Sequence, residues 1–590
     1  MALPRRGAAA APASFPPRVL REYSLLADGE RGVLVGPLGE FSWMCAPRWD
    51  SPAVFSSLIG GSGTYAVTPM EERSVWGGYY EEGSLIWHSR WLCGQSIIEC
   101  REALAFPARP HTAVVLRQVI AIQGEARVRV ILDARAQFGV APMRELGRQR
   151  GIWHGRTGGL HLRWSGGQRA RRSGSALLLD IELDQGQHHD LVLEVSDRAL
   201  VEAPVEADAA WEATRSTWEK TVPAFSSGLA VRDSRHAYAV LRGLTTAGGG
   251  MVAAATTSLP ERGGSGRNYD YRYAWIRDQC FAGQATATHG PHPLLDDAVR
   301  FICERVLADG PNLRPAYRVD GSAVPSERRL THLTGYPGGS DRIGNRVRDQ
   351  FQLDALGEVL LLLAAAARGD SLDGTSWRAA EVAAAAIELR WRQPDAGIWE
   401  LGDDRWTHSR LTCVAGLRAL AEQAPAPQAA KWIGLADAIL ADAGSDCVHP
   451  SGRWQRSPRD GRVDAALLFP YVRGGLANDD PRSLLALEAV EAELVRDGYV
   501  YRFRQDERPL ETAEGAFLLC GFLMALAVRR RGDDRESIAW FERTRASCGP
   551  PGLLTEEFDV RQRQLRGNLP QAFVHALLLD AAGQLAHPPG

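Results

Sequence analysis

Two patterns of apolar and polar positions divide the chain. From about Glu22 to Leu200, apolar residues alternate with polar ones in short segments. Thr112–Ala121, Ala126–Leu132, Leu177–Leu183 and His188–Val195 are examples, separated by Gly, Asp and Ser turns. Period-two alternation places one side of a strand on a core and the other in water. Many short strands over this length predict a β-sandwich. Near Asp208 the period lengthens. Residues 208–220 predict a linking helix. Beyond Val231, apolar residues recur at helical spacing. Gln352–Ala367, Trp377–Trp391, Leu411–Gln423, Pro427–Ala443, Pro481–Val495, Ala513–Arg531 and Gln571–Ala582 carry it most plainly. Further helices are expected near 234–247, 279–288, 294–307, 462–470 and 533–546. About a dozen helices of similar length, without the fixed repeat of a solenoid, predict an α/α toroid. The expected organisation is a flexible arm over 1–20, a β-sandwich over 21–205, a helical linker over 206–230 and a toroid over 231–590.

Composition narrows the function. The net charge of −3 supplies no field for nucleic acid or an anionic membrane. No stretch approaches the roughly 20 apolar residues of a membrane span. The 17 N-terminal residues lack the apolar core of a secretion signal, so a cytoplasmic protein is expected. Lys220 and Lys431 are the two lysines, and neither stands in a context suited to a Schiff base. The nine cysteines are scattered, without metal-finger spacing, and predict reduced core thiols. Oligomeric state is left open.

One run stands apart: Asn268-Tyr-Asp-Tyr-Arg-Tyr-Ala-Trp-Ile-Arg-Asp278. Four aromatic rings alternate with two arginines and two aspartates. Ring faces suit the C–H surface of a sugar, and Arg277 with Asp278 suits its hydroxyls. An apolar core does not favour this composition, since each buried charge needs a partner. Two more loops carry carboxylates, Asp395-Ala-Gly-Ile-Trp-Glu400 and Leu554-Thr-Glu-Glu-Phe-Asp559. Glycoside hydrolysis needs such a pair, one to protonate the departing oxygen and one to activate water or attack carbon. Desolvation beside Trp399 would suit Glu400 to the acid's part. Taken singly, a loop glutamate is more often solvated. Trp76, Trp87, Trp91, Trp153 and Trp164 are candidates for core, interface or sugar platform.

Several separated motifs, in order, resemble glycoside hydrolase family 15, the glucoamylase, glucodextranase and bacterial trehalase group. They are Glu22–Asp28, Trp43–Pro52, Thr256-Thr-Ser-Leu-Pro-Glu261, the aromatic run, Gly344-Asn345, Asp349-Gln350, Gln352-Leu-Asp354, Gly397-Ile-Trp-Glu400, Tyr499-Val-Tyr-Arg502, Glu514-Gly-Ala-Phe517 and Leu554–Asp559. The resemblance spans about residues 20 to 585. It implies a β-sandwich followed by an (α/α)6 barrel, and an inverting, exo-acting α-glucoside hydrolase without metal or organic cofactor. By position, Glu400 is then the general acid and Glu556 the general base. Glu556 is favoured over its neighbour Glu557 because it follows the small residue Thr555. Arg277, Asp278, Arg502 and Trp399 would hold the non-reducing glucose, with Tyr273, Trp275 and Glu557 beside them. Inversion requires carboxyl groups roughly 6.5–9.5 Å apart.

Some positions depart from the family pattern. Tyr269, Ala274 and Gln279 are mild. Arg346 and Arg348 stand where small residues are usual, and would add charge at the site entrance if both point inward. Arg410 replaces Lys and Val414 replaces Trp, which bears on the leaving-group pocket. Their bland reading is drift, with the arginines facing water. His408 and His575 are read as either substrate contacts or structural histidines. Asp349, Asp354 and Asp395 are read as helix-face and turn carboxylates rather than metal ligands. The substrate expected first is α,α-trehalose, and the alternatives are malto- or isomalto-oligosaccharides and glucosylated small molecules. An inverting disaccharide phosphorylase and a non-catalytic sugar-binding protein are the rivals from other classes.

Overall fold

The computed structural model describes residues 15–225, 228–369, 372–505 and 508–586. Of the expected arm, 1–14 lies outside the described residues. Phe15 and Leu20, within the same span, are buried. The N-terminal region is built of antiparallel sheets. Eight strands run in the order Met143–Gln149, Ile152–Thr157, Leu160–Ser165, His188–Ser196, Thr112–Gln123, Ser96–Leu104, Trp87–Cys93, Val75–Tyr80. A four-stranded sheet, Arg171–Ser173, Ala176–Leu183, Ala126–Asp133, Thr64–Pro69, shares one apolar core with it. Alternation sets this register: Val128 and Val130 lie opposite Ile181 and Leu179 on the buried side. Arg129 pairs with Asp180 on the outer side. Trp87, Trp91 and Trp164 are wholly buried in this core, and Trp76 and Trp153 pack against it. These five tryptophans are sandwich packing. A second four-stranded sheet, Ser24–Ala27 to Ala53–Phe55, joins the sandwich to the helices. Helix Ala207–Thr221 buries Trp211, Thr214 and Trp218, the stripe that spacings of three and four produce.

The helical region is a double ring. Ile276–Ala287, Leu353–Arg368, Thr407–Ala421, Leu468–Val472, Leu518–Arg531 and Ala572–Leu585 each touch the next, and the last touches the first. Helices that alternate with them in the chain, among them Val231–Leu244, Pro293–Asp309, Gly374–Arg390 and Ala426–Asp446, pack outside. This is the expected (α/α)6 toroid. The inner position explains the composition: Leu353 through Ala366 are all buried, and apart from Asp354 and Glu358 they carry no charge. Glycine brings two inner helices close, because a Cβ at Gly357 would meet the Thr412 backbone at 2.6 Å.

Two helices differ from expectation. Residues 462–470 form a 3₁₀ turn, Ala465–Leu467, and a single helical turn, Leu468–Val472, ended before Gly474 and Gly475. The helix expected from Ala513 starts at Leu518, because Ala516 and Phe517 pair as a strand with Phe558 and Glu557. All nine cysteines are free, eight of them buried. No described helix is long and apolar enough to cross a membrane.

Candidate active site

A cavity of about 320 Å³ opens where the inner helices begin. Arg277 comes from the first turn of Ile276–Ala287. Gln350 precedes Leu353–Arg368, Trp399 and Glu400 precede Thr407–Ala421, Arg502 and Phe517 precede Leu518–Arg531, and Glu556 precedes Ala572–Leu585. Residues more than 270 positions apart therefore share one wall. A larger cavity, about 590 Å³, lies among the opposite helix ends. Its one lining carboxylate, Asp580, is bound to Arg473, so it has no acid–base pair.

Glu400 sits at the end of a tight turn. Its backbone has φ +55°, a left-handed conformation costly for a residue with a Cβ. Buried Asp395 pins the turn, its Oδ1 accepting from the Gly397 amide at 2.8 Å and the Ser409 hydroxyl at 2.9 Å. At Gly397, φ is +67° and a Cβ would meet the Trp406 ring at 2.7 Å. The Trp275 indole N–H donates to Glu400 Oε1 at 2.8 Å. One carboxylate oxygen is thus held.

Glu556 is buried, and the Tyr271 hydroxyl lies 3.3 Å from each of its oxygens. Burial, then the neighbouring Glu261 carboxylate, raises the Glu556 pKa well above the ordinary range, against the pull of Arg502 and Arg267. Extended backbone sends the next side chain the other way. Glu557 Oε2 accepts from the Gly515 amide at 2.8 Å, and its Oε1 lies 3.6 Å from Arg502. Glu556 lines the cavity and Glu557 does not.

The aromatic run divides in the same way. Tyr269 and Tyr271 line the cavity, stacked at 6.2 Å. Asp270 and Arg272 turn toward the sandwich, joined by two hydrogen bonds of 2.8 Å. Arg272 Nη1 also donates to the Ser51 carbonyl at 2.9 Å. Tyr273 was expected near sugar; it is buried, and its hydroxyl donates to Asp270 at 3.2 Å. Trp275 reaches the site through Glu400 and is not among the lining residues. Asp278 lies beneath Arg277, accepting from its Nε at 3.2 Å, and burial pushes its pKa up to about 6. Arg277 Nη1 donates to the Ile398 carbonyl at 2.8 Å, which ties the run to the Glu400 loop. The Trp399 indole donates to Asp464 Oδ1 at 2.8 Å. Arg502 donates to Glu514 Oε2 at 2.6 Å and lies over the Phe517 ring.

Other expectations change. Arg346 lines the cavity; Arg348 turns away to Ser326 and Asp349. Val414 is wholly buried between helices and forms no part of the cavity. Arg410 does not face water. It is buried against Asp442, Asp446 and Cys447. His408 stands against Phe469 and Thr412, and His575 accepts from the Leu554 amide. Burial lowers both pKa values to about 3, as for structural neutral histidines. Asp354 and Asp395 are buried, whereas the Asp349 side chain is exposed. Among the described residues no cluster of three potential ligands could hold a metal ion.

Lining residues not singled out from sequence include Glu261, Arg267, Tyr271, Glu327, Gln350 and Phe573. Glu261 and Gln350 end motifs quoted above, and Tyr271 belongs to the run. Glu327 sits in a loop with no sequence signal.

The sequence model of the glycosyl hydrolases family 15 matches residues 235–583. The chain belongs to glycosyl hydrolase family 15. It is a glycoside hydrolase. A second model, trehalase-like N-terminal, matches residues 14–166. A trehalase of Mycolicibacterium smegmatis is 29% identical over 96% of this chain and 91% of its own length. A trehalase of Thermoplasma acidophilum is 28% identical over 94% of this chain and 98% of its own. Among solved structures, a bacterial glucoamylase complexed with acarbose superposes with a TM-score of 0.69. It is 14% identical and is matched over 98% of this chain and 97% of its own. This family 15 chain thus shares the two-part fold of that glucoamylase.

Proposed function

We propose that the chain hydrolyses α,α-trehalose with inversion, Glu400 acting as general acid and Glu556 as general base. The carrying observation is that both carboxylates line one cavity together with Arg277, Arg502 and Trp399. The near full-length similarity to trehalases supports the substrate. The non-reducing glucose lies at the buried end, against Trp399 and between Arg277 and Arg502. Glu400 protonates the glycosidic oxygen. Glu556 takes a proton from a water that attacks the anomeric carbon from the opposite face. Asp278 holds Arg277, Trp275 orients Glu400, and Glu557 holds Arg502. Tyr273 acts behind them, through Asp270. The partner is a small carbohydrate, and a cytoplasmic location fits that use.

The test is a substrate panel of trehalose, maltose, isomaltose and dextrin, with products followed by NMR from the first turnover. Inverting hydrolysis of trehalose releases α- and β-glucose in equal amounts, because the leaving glucose keeps its own anomeric oxygen. Release of α-glucose alone overturns inversion. Preference for maltose or dextrin overturns the trehalose assignment.

A further inference from the structure

Exposure orients the cavity. Arg277 at one end is 8% exposed, whereas the Arg346 side chain, lining the same cavity, is 80% exposed. Arg346 therefore stands at the mouth, on the side where the leaving group emerges.

The backbone beneath Arg346 is fixed. Asn345 accepts from the Val347 amide at 2.9 Å and donates to the Asp270 carbonyl at 3.2 Å. Val347 is wholly buried beside Trp275. Arg346 projects between these two anchors. Its nearest countercharge is Glu327, at 3.5 Å from Nη2. That same Glu327 oxygen is bonded more closely by Arg342, at 3.1 Å. Arg348 pairs with Asp349 at 3.3 Å. Arg346 thus shares Glu327 with a closer partner, Arg342, and of the three arginines Arg342, Arg346 and Arg348 it is the one that lines the cavity. Deeper in, Glu261, Glu400 and Glu556 present carboxyl groups that disfavour an anion.

We propose that Arg346 is a specificity residue for the leaving group, and that it opens the site to α-glucosides whose leaving sugar carries an anionic substituent, such as a phosphate ester on its primary hydroxyl. This rests on the hydrolase reading above. A guanidinium binds two oxygens of such a group side by side. At the buried end Arg277 and Arg502 are already engaged by Asp278, the Ile398 carbonyl and Glu514, whereas Arg346 stands at the exposed mouth, so the anion rides on the leaving side. One water is consumed. Its oxygen bonds to the anomeric carbon as the glycosidic C–O bond breaks, Glu400 gives its proton to the departing oxygen, and Glu556 takes the water's proton. The phosphate ester is untouched, and the products are glucose and the phosphorylated sugar.

The experiment compares α,α-trehalose with its 6-phosphate on the full chain, as wild type, Arg346→Gln and Arg346→Glu. Wild type cleaves both. Arg346→Gln lowers kcat/KM on the phosphate ester about tenfold, the worth of one exposed charge-assisted contact, and Arg346→Glu lowers it further. Both variants lose less on trehalose than on the ester, so the ratio of the two kcat/KM values falls, whereas Arg348→Gln, at an arginine turned away from the cavity, leaves that ratio unchanged. Added salt reduces the phosphate ester's kcat/KM in wild type, as for an exposed pair. Cleavage of trehalose without cleavage of the ester overturns this proposal and leaves the hydrolase reading standing. Equal losses on the two substrates in Arg346→Glu also overturn it. Wild type inert on every α-glucoside overturns the hydrolase reading itself.

Discussion

The Tyr271 hydroxyl lies 3.3 Å from both carboxylate oxygens of Glu556. A donor so placed favours the charged carboxylate. It offsets part of the upward push that burial and Glu261 give that group. Tyr271→Phe removes the donor and raises the Glu556 pKa further. A general base works when ionised, so the acidic limb of kcat/KM moves to higher pH. Its position in a pH profile from 4 to 9 checks this; an unmoved limb separates Tyr271 from the base.

Glu261 acts with the opposite sign. Its carboxylate is the largest charge effect raising the Glu556 pKa. Glu261→Gln lowers that pKa, and the acidic limb moves to lower pH. Arg267 loses an ion pair of 2.7 Å in the same variant, so thermal unfolding is followed alongside. A shift upward, or none in a folded variant, contradicts the coupling.

The proposed acid and base are tested by Glu400→Gln and Glu556→Gln. Each lowers kcat by about 10²–10⁴-fold, the usual worth of an acid–base group. Folding is retained, because amide and carboxyl have nearly the same shape. Arg277→Ala removes the contact to the Ile398 carbonyl and the partner of Asp278. Its loss appears chiefly as failed substrate binding. Circular dichroism with steady-state kinetics distinguishes these outcomes from unfolding.

Arg272→Ala takes from buried Asp270 the two hydrogen bonds and the charge of that guanidinium, leaving those from the Tyr273 hydroxyl and the Gly344 amide, and releases the Ser51 carbonyl. Removing one member of a buried pair costs about 3–5 kcal/mol. Urea unfolding reads this loss. A change below about 1 kcal/mol, the level of an exposed pair, excludes a structural role for the contact.

Much of the fold was legible because periodicity reports burial. Strands such as Ala126–Asp133 and helices such as Leu353–Arg368 follow their apolar pattern closely. The misjudged places depend on distant partners. Leu518–Arg531 starts late because Phe517 pairs with Glu557, forty residues downstream. Arg410 is buried because Asp442 and Asp446 on the following helix reach it. In the site, residue types were readable but directions were not. Tyr269 and Tyr271 face the cavity while Asp270 and Arg272 face away, so one side of the run is wall and the other is interface. Glu327 was missed because its role follows from where its loop returns, and nothing in its immediate sequence marks that.

The Arg272 contact ties the enzyme's two halves together in space. Trp43 donates to the Ala255 carbonyl at 2.8 Å, thirteen residues before the aromatic run, and Arg272 is anchored to carbonyls at 49 and 51. The sheet from Ser24–Ala27 to Ala53–Phe55 is therefore the mould against which the sugar-facing tyrosines set. A chimera carrying a foreign sandwich must bring matching carbonyls at those places. Sequence drift there registers as altered turnover, although no residue of that sheet lines the cavity.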